Sequence, residues 1–204
     1  MNHKSGSFIV DPRLQRHFTT FACQMPGDAD LTTIFGSILT GHFFNFDKKI
    51  QGMAKNLTDA IINLQKEMIS KFLPSAIKFH YNFTMRDLSA IVKGLLNSRS
   101  KEYTSSVQIT RLWYHECMRV FSDRLISDTE VSRCREITIN IGKRFMDDDP
   151  EIAYAEPCNF TNFVTNPDEL STYVACENFT KLKDALGKKL AEYNESFAIM
   201  NLVF

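Results

Sequence analysis

The chain has 204 residues, enough for one or two compact domains with a sizeable core. Hydrophobic residues make up 44% and charged residues 24%, a balance that excludes disorder over most of the length. Lys plus Arg equals Asp plus Glu at 24 each, so no net field steers the whole chain onto nucleic acid or an anionic membrane.

The start, MNHKSGSFIVDP, lacks the apolar stretch of a signal peptide. DPRLQRHF predicts one or two helical turns, opened by Asp11 as N-cap and Pro12 at the first helical position. Phe18 to Cys23 (FTTFAC) is strand-like, and Met25-Pro26-Gly27-Asp28 is a turn. Helical periodicity then takes over. Leu31, Ile34, Phe35, Ile38, Leu39, His42 and Phe43 follow the i, i+3, i+4, i+7 pattern, with Asp28 or Asp30 as cap. A second helix carries Leu57, Ile61, Leu64, Met68 and Phe72, and Pro74 stops it. A third follows Thr84, which with Asp87 forms a variant capping box, and carries Leu88, Ile91, Val92 and Leu95. A fourth carries Ile109, Leu112, Trp113, Cys117, Val120 and Phe121. A fifth carries Val131, Cys134, Ile137, Ile141 and Phe145 and breaks at Asp147-Asp148-Asp149-Pro150. Residues 150 to 175 read as an irregular connection. A last helix carries Leu182, Leu186, Leu190, Tyr193 and Phe197. The apolar ending IMNLVF and the isolated strand-like FTTFAC suggest a piece cut from a longer chain at both ends.

No run approaches the roughly 20 apolar residues of a membrane span. The cysteines, Cys23, Cys117, Cys134, Cys158 and Cys176, are odd in number and form no CxxC pair, which favours buried, reduced thiols over a disulfide framework or a zinc site. A reducing, cytoplasmic setting follows. No GxxxxGK[ST], GxSxG, HExxH or calcium-loop motif is present. His3, His17, His42, His80 and His115 have no ligand spacing, so no metal site is expected, and His42 reads as a core residue. Asp147 to Asp149 lacks calcium-loop spacing and reads as a solvated acidic helix end. Two features stay open. Arg13 and Arg16 flank a short helix, as a surface pair or as anion-binding guanidinium groups. Arg86 sits in the first turn of the third helix, where a cation opposes the helix macrodipole. Either Asp87 beside it forms a local ion pair, or a bound anion reverses the sign.

The order NHKSGSF, DPRLQRHF, a Pro-Gly turn and a helix, then FLPSAIKFHYNFTMRDLSAIVKGLL, resembles the third AAA+ module of an axonemal dynein heavy chain of the outer-arm beta type. The match covers essentially the whole chain, and KFHYNFTMRDL is its most specific part. The resemblance implies a mainly α fold, an AAA+ lid helical bundle preceded by a short remnant of the α/β large subdomain. Residues 1–27 would end the large subdomain, 28–150 form the lid, and 151–204 lead into the next module. Asn2 matches the sensor-1 asparagine, although His3-Lys4 stands where Pro-Thr is expected. Arg16 matches the arginine finger acting on the preceding module, and Arg86 matches sensor 2, which faces the nucleotide of its own module. The Walker A lysine and Walker B acids would lie before Met1, so the isolated chain is expected to be no enzyme and to hold no cofactor. The parent ring would use ATP or ADP with Mg and drive microtubule-based movement in the ciliary or flagellar axoneme. The implied partners are neighbouring AAA+ modules of the same chain, microtubules and dynein accessory chains, with no nucleic acid and no membrane. The rival reading is a non-catalytic helical adaptor that docks axonemal partners.

Overall fold

The computed structural model describes residues 11–19, 21, 26–162, 172–176 and 178–196. Asn2, Cys23 and the IMNLVF end lie outside the described residues, as does most of FTTFAC; Phe18, Thr19 and Phe21 are not in a strand.

A short helix α1 spans Pro12–Gln15, capped by Asp11, whose Oδ1 accepts from the Arg13 amide at 2.8 Å. α1 buries no residue. Helix α2 (Asp28–His42) begins at Gly27 rather than at an aspartate cap. Gly27 is extended there, and its amide donates to Asp30 Oδ2 at 3.0 Å, which completes the box from inside the helix. Helices α3 (Lys48–Lys71), α4 (Met85–Leu95), α5 (Ser106–Cys117) and α6 (Asp128–Phe145) follow. α3 is the hub. It packs against α2, α4, α5 and α6, which explains why its buried positions, from Ile50 through Leu57, Ile61 and Leu64 to Met68, exceed a single stripe. The fold is mainly α, as the resemblance implies.

Trp113 of α5 is completely buried among these helices. Gly142 of α6 lies against it and against Tyr154: a Cβ there would run into the Tyr154 hydroxyl. Gly94 of α4 plays the same part against Glu116 of α5, whose carboxyl group occupies the space a Cβ would need. Close helix approach thus depends on both glycines.

Several expectations change. Within α2 only Leu31, Phe35 and Leu39 are buried, whereas Ile34 and Ile38 on the same pattern are 46% and 42% exposed. Their flank of the stripe has no helix packed over it among the described residues. α5 does not continue as α-helix through Val120 and Phe121: Met118–Ser122 form a π turn. The 150–175 segment is not wholly irregular. It contains a short helix α7 (Pro150–Ala153) and the strand β1 (Asn159–Thr161), which pairs antiparallel with β2 (Val174–Cys176) in the register Phe160–Ala175. Asp148 is not a solvated helix end. It accepts from Ser106 Oγ at 2.7 Å and from Thr110 Oγ1, so it lies at the positive end of α5, while Asp149 caps α7. Helix α8 (Phe179–Ser196) buries no residue. His42 is half-buried, with Nε2 3.0 Å from Ser98 Oγ. Cys117, Cys134 and Cys176 are buried free thiols, and Cys158 is free and half-buried.

Candidate functional site

The site is built where α3 ends and α4 begins. Phe72 closes α3 with its amide on the Met68 carbonyl, and Pro74 prevents further helix. The segment up to Thr84 has no regular structure and exposes Leu73, Ile77 and Phe79 at 68%, 82% and 78%. The side chains between those apolar tips tie it down.

Lys78 Nζ donates to Glu130 Oε1 at 2.6 Å. Tyr81, almost fully buried, donates its hydroxyl hydrogen to Glu130 Oε2 at 2.7 Å and accepts from the Ile126 amide at 2.9 Å. Hydrogen bonds from Lys78 and Tyr81 hold the Glu130 carboxyl below its ordinary pKa, and the bond to Glu130 pushes the Lys78 ammonium up. His80 Nε2 lies 3.0 Å from the Arg124 carbonyl oxygen. A carbonyl only accepts, so Nε2 carries the proton. The Arg124 guanidinium spans three groups of the same segment. Nη1 donates to the Asn82 carbonyl at 3.3 Å, Nη2 donates to Asp87 Oδ1 at 2.6 Å, and its carbon lies 5.3 Å from the Phe83 ring centroid. Phe83 itself packs edge-on against Phe72 and Phe121.

This clasp fixes the start of α4. The Thr84 amide donates to Asp87 Oδ2 at 2.6 Å, and Thr84 Oγ1 accepts from the Arg86 amide at 3.3 Å, so the capping box forms as the sequence indicates. Asp87 is only 8% exposed, with one oxygen on the cap and the other on Arg124. Arg86 is exposed in the first turn, and its guanidinium has no hydrogen bond or ion pair with another described residue. The local ion pair with Asp87 left open by the sequence is therefore not formed. The result is an unneutralised guanidinium at the positive end of a helix, an arrangement that costs about 0.3–1 kcal/mol without an anion. With a phosphate present, both the helix end and the guanidinium become favourable.

Arg16 lies at the C-cap of α1, exposed, with Nε donating to His17 Nε2 at 3.2 Å. Among the described residues it shares no partner with Arg86. Asn2 lies outside the described residues. Sequence reading missed the fixing residues Arg124 and Glu130. Their partners are 37 to 52 residues away, and no local pattern marks them.

A second polar cluster lies at the ribbon end. Glu116, 1% exposed, accepts from Arg119 Nε and Nη2 at 2.9 and 2.6 Å and from the Tyr173 hydroxyl at 2.7 Å. His115 places Nδ1 3.1 Å from the Cys158 carbonyl oxygen and Nε2 3.1 Å from the Tyr173 hydroxyl. A cavity of about 340 Å³ opens beside them, lined among others by Arg119, Arg135 and Glu156. The ion pairs Arg119–Glu116 and Arg135–Glu156 engage its two cations, and Asp123 also lines it.

Residues 57–155 match the AAA+ lid domain family. The whole chain is 39% identical to the dynein beta chain of the flagellar outer arm of Chlamydomonas reinhardtii. It is equally similar, at 39%, to the ciliary dynein beta chain of Heliocidaris crassispina and to dynein axonemal heavy chain 17 of Homo sapiens. Along its whole length the chain fits the lid region of dynein heavy chains. Each alignment takes in 100% of this chain and 5% of the relative, so the chain spans about one twentieth of these heavy chains. The lid match encloses α4 to α7, and with them Arg86, Asp87, Arg124 and Glu130, so the clasp lies wholly inside the segment that matches the lid family.

Proposed function

We propose that this chain serves as the lid of the third AAA+ module in a dynein motor ring. In this reading residues 1–27 end the large subdomain, 28–150 form the lid, and 151–204 lead to the following module. The lid closes over ATP, reads its state, and passes a rigid-body rotation to the next module, in support of microtubule-based ciliary movement in the axoneme. The observation that carries the reading is Arg86, an exposed guanidinium at a helix N-terminus whose acidic neighbour is bound elsewhere.

Mg-bound ATP would supply the phosphate charge that Arg86 meets. Arg86 binds and orients the phosphates of its own module. Its charge is most valuable where phosphoryl transfer develops negative charge. Arg16 acts as an arginine finger on the nucleotide of the preceding module, and Asn2 positions water near the phosphate. Neighbouring modules, accessory chains and microtubules are the partners of the parent ring.

Arg86→Ala in the full motor is expected to weaken the nucleotide response of this module's site. Arg16→Ala is expected to impair the preceding module's site instead. Each loss is expected to cost about 1.5–3 kcal/mol, the range of a hydrogen bond to a charged group. Nucleotide occupancy at each site, from structure determination of each mutant, separates the two. If both mutants alter the same site, one role is wrong; if neither alters any, both are surface arginines.

A further inference from the structure

Arg86 and Asp87 are adjacent in the first turn of α4, and a free carboxylate there would be the nearest competitor for the guanidinium. That competition is prevented by a residue far along the chain. Asp87 gives one oxygen to the Thr84 amide and the other to Arg124 Nη2 at 2.6 Å. Arg124 is in turn held by the Asn82 carbonyl and by the face of Phe83, so its guanidinium is preorganised and does not depend on Asp87 for its place. Neither of the other cations of the clasp can substitute: Lys78 is engaged by Glu130, and Arg86 points its charge to solvent.

We infer that Arg124 is a positioning residue for the nucleotide-facing site: it masks the Asp87 carboxylate so that Arg86 stays available to a nucleotide phosphate. This rests on the reading of Arg86 given above. A role as a mere tether would act through the geometry of the segment, whereas masking acts through charge, and the two respond oppositely when Asp87 is neutralised. The carboxamide of Asn at position 87 keeps an oxygen that can accept from the Thr84 amide, so the cap survives while the competing charge is gone.

The test is binding of a fluorescent ATP analogue to the full-length motor, with the phosphate-binding lysines of the other modules replaced so that one site reports. Arg86→Ala is expected to weaken binding about tenfold to a hundredfold, the range of a charge-assisted hydrogen bond. Arg124→Ala is expected to weaken it about two- to fivefold, the range of one exposed ion pair now formed in the wrong place. Adding Asp87→Asn to Arg124→Ala is expected to restore binding to within about twofold of the parent, and Arg124→Ala on top of Arg86→Ala to add nothing. Masking is overturned if Asp87→Asn fails to rescue, or if Arg124→Ala has no effect while Arg86→Ala does. An inert Arg86→Ala overturns the underlying reading as well, and is told apart by that single mutant. Thermal unfolding is followed for every variant. Should Arg124→Ala unfold before titration, Arg124→Lys takes its place: it keeps the charge at Asp87 and is expected to bind within about twofold of the parent, and a loss as large as that of Arg86→Ala overturns the proposal.

Discussion

Gly94 shows how tightly single residues are specified here. Its missing Cβ is what lets the Glu116 carboxyl group lie between α4 and α5, where Arg119 and Tyr173 complete its hydrogen bonds. Gly94→Ala improves helix propensity by about 1 kcal/mol but drives a methyl group into a buried carboxylate, and the overpacking costs about 1–3 kcal/mol. The steric term wins because Glu116 has no exposed position to retreat to without breaking its ion pair. Chemical denaturation is expected to show a net loss of up to about 2 kcal/mol for Gly94→Ala. Glu116→Gln added to it is expected to give no recovery, since the volume is unchanged. Unchanged stability in Gly94→Ala would mean that α4 and α5 separate more easily than their packing indicates. Such residue-scale facts were only partly legible in the sequence. The Thr84–Asp87 box could be read because both members sit in one turn. Arg124 with Asp87, and Glu116 with Tyr173, could not, because the pairs meet only after the helices have packed.

At the scale of elements, α2 to α6 were legible because a 3.6-residue period and the stops at Pro74 and Pro150 are local signals. The β1–β2 ribbon was not: its strands are three residues each, too short for alternation to register, and their pairing is long-range. Exposed Ile34 and Ile38 mark the other limit, since periodicity identifies an apolar face but not how much of it a neighbour covers. The ribbon is docked on α5 through His115. Burial lowers the pKa of this ring from its ordinary value near 6.5, against the opposing pull of Glu116. A histidine kept neutral by burial contributes stability that is present above the unfolded pKa and is lost as pH falls below it. The chain is therefore expected to unfold more readily below about pH 6.5. His115→Asn is expected to flatten that dependence while lowering stability at pH 7.5. Denaturation midpoints across that interval for both proteins decide the matter, and an identical slope in the mutant would remove His115 as the cause.

Over the whole molecule, two apolar ledges stand out beyond the packed helices. One is Leu73, Ile77 and Phe79 before α4; the other is Phe179, Leu186 and Tyr193 along α8, which are 62%, 36% and 42% exposed. Large exposed apolar side chains in series indicate surfaces that other protein covers. The isolated chain is accordingly expected to self-associate at high concentration. Replacing Ile77 and Phe79 with Ser is expected to reduce association without lowering the melting temperature, because neither side chain contributes to the core. Sedimentation velocity over a concentration series, with a parallel melt, checks both parts. Equal association in the double mutant would shift attention to α8.

The π turn at Met118–Ser122 gives the clasp a dependence on length as well as on chemistry. A π turn accommodates one residue more than the α-helix it interrupts, and each residue of an α-helix turns the chain by about 100°. Shortening this stretch by one residue would let α-helix run on and swing the following corner, Arg124 included, away from Asp87. Side-chain exchanges along the turn leave that bearing intact; a one-codon deletion does not. The orientation of the N-terminal end of α4 is thus set in part by one extra residue on a different helix.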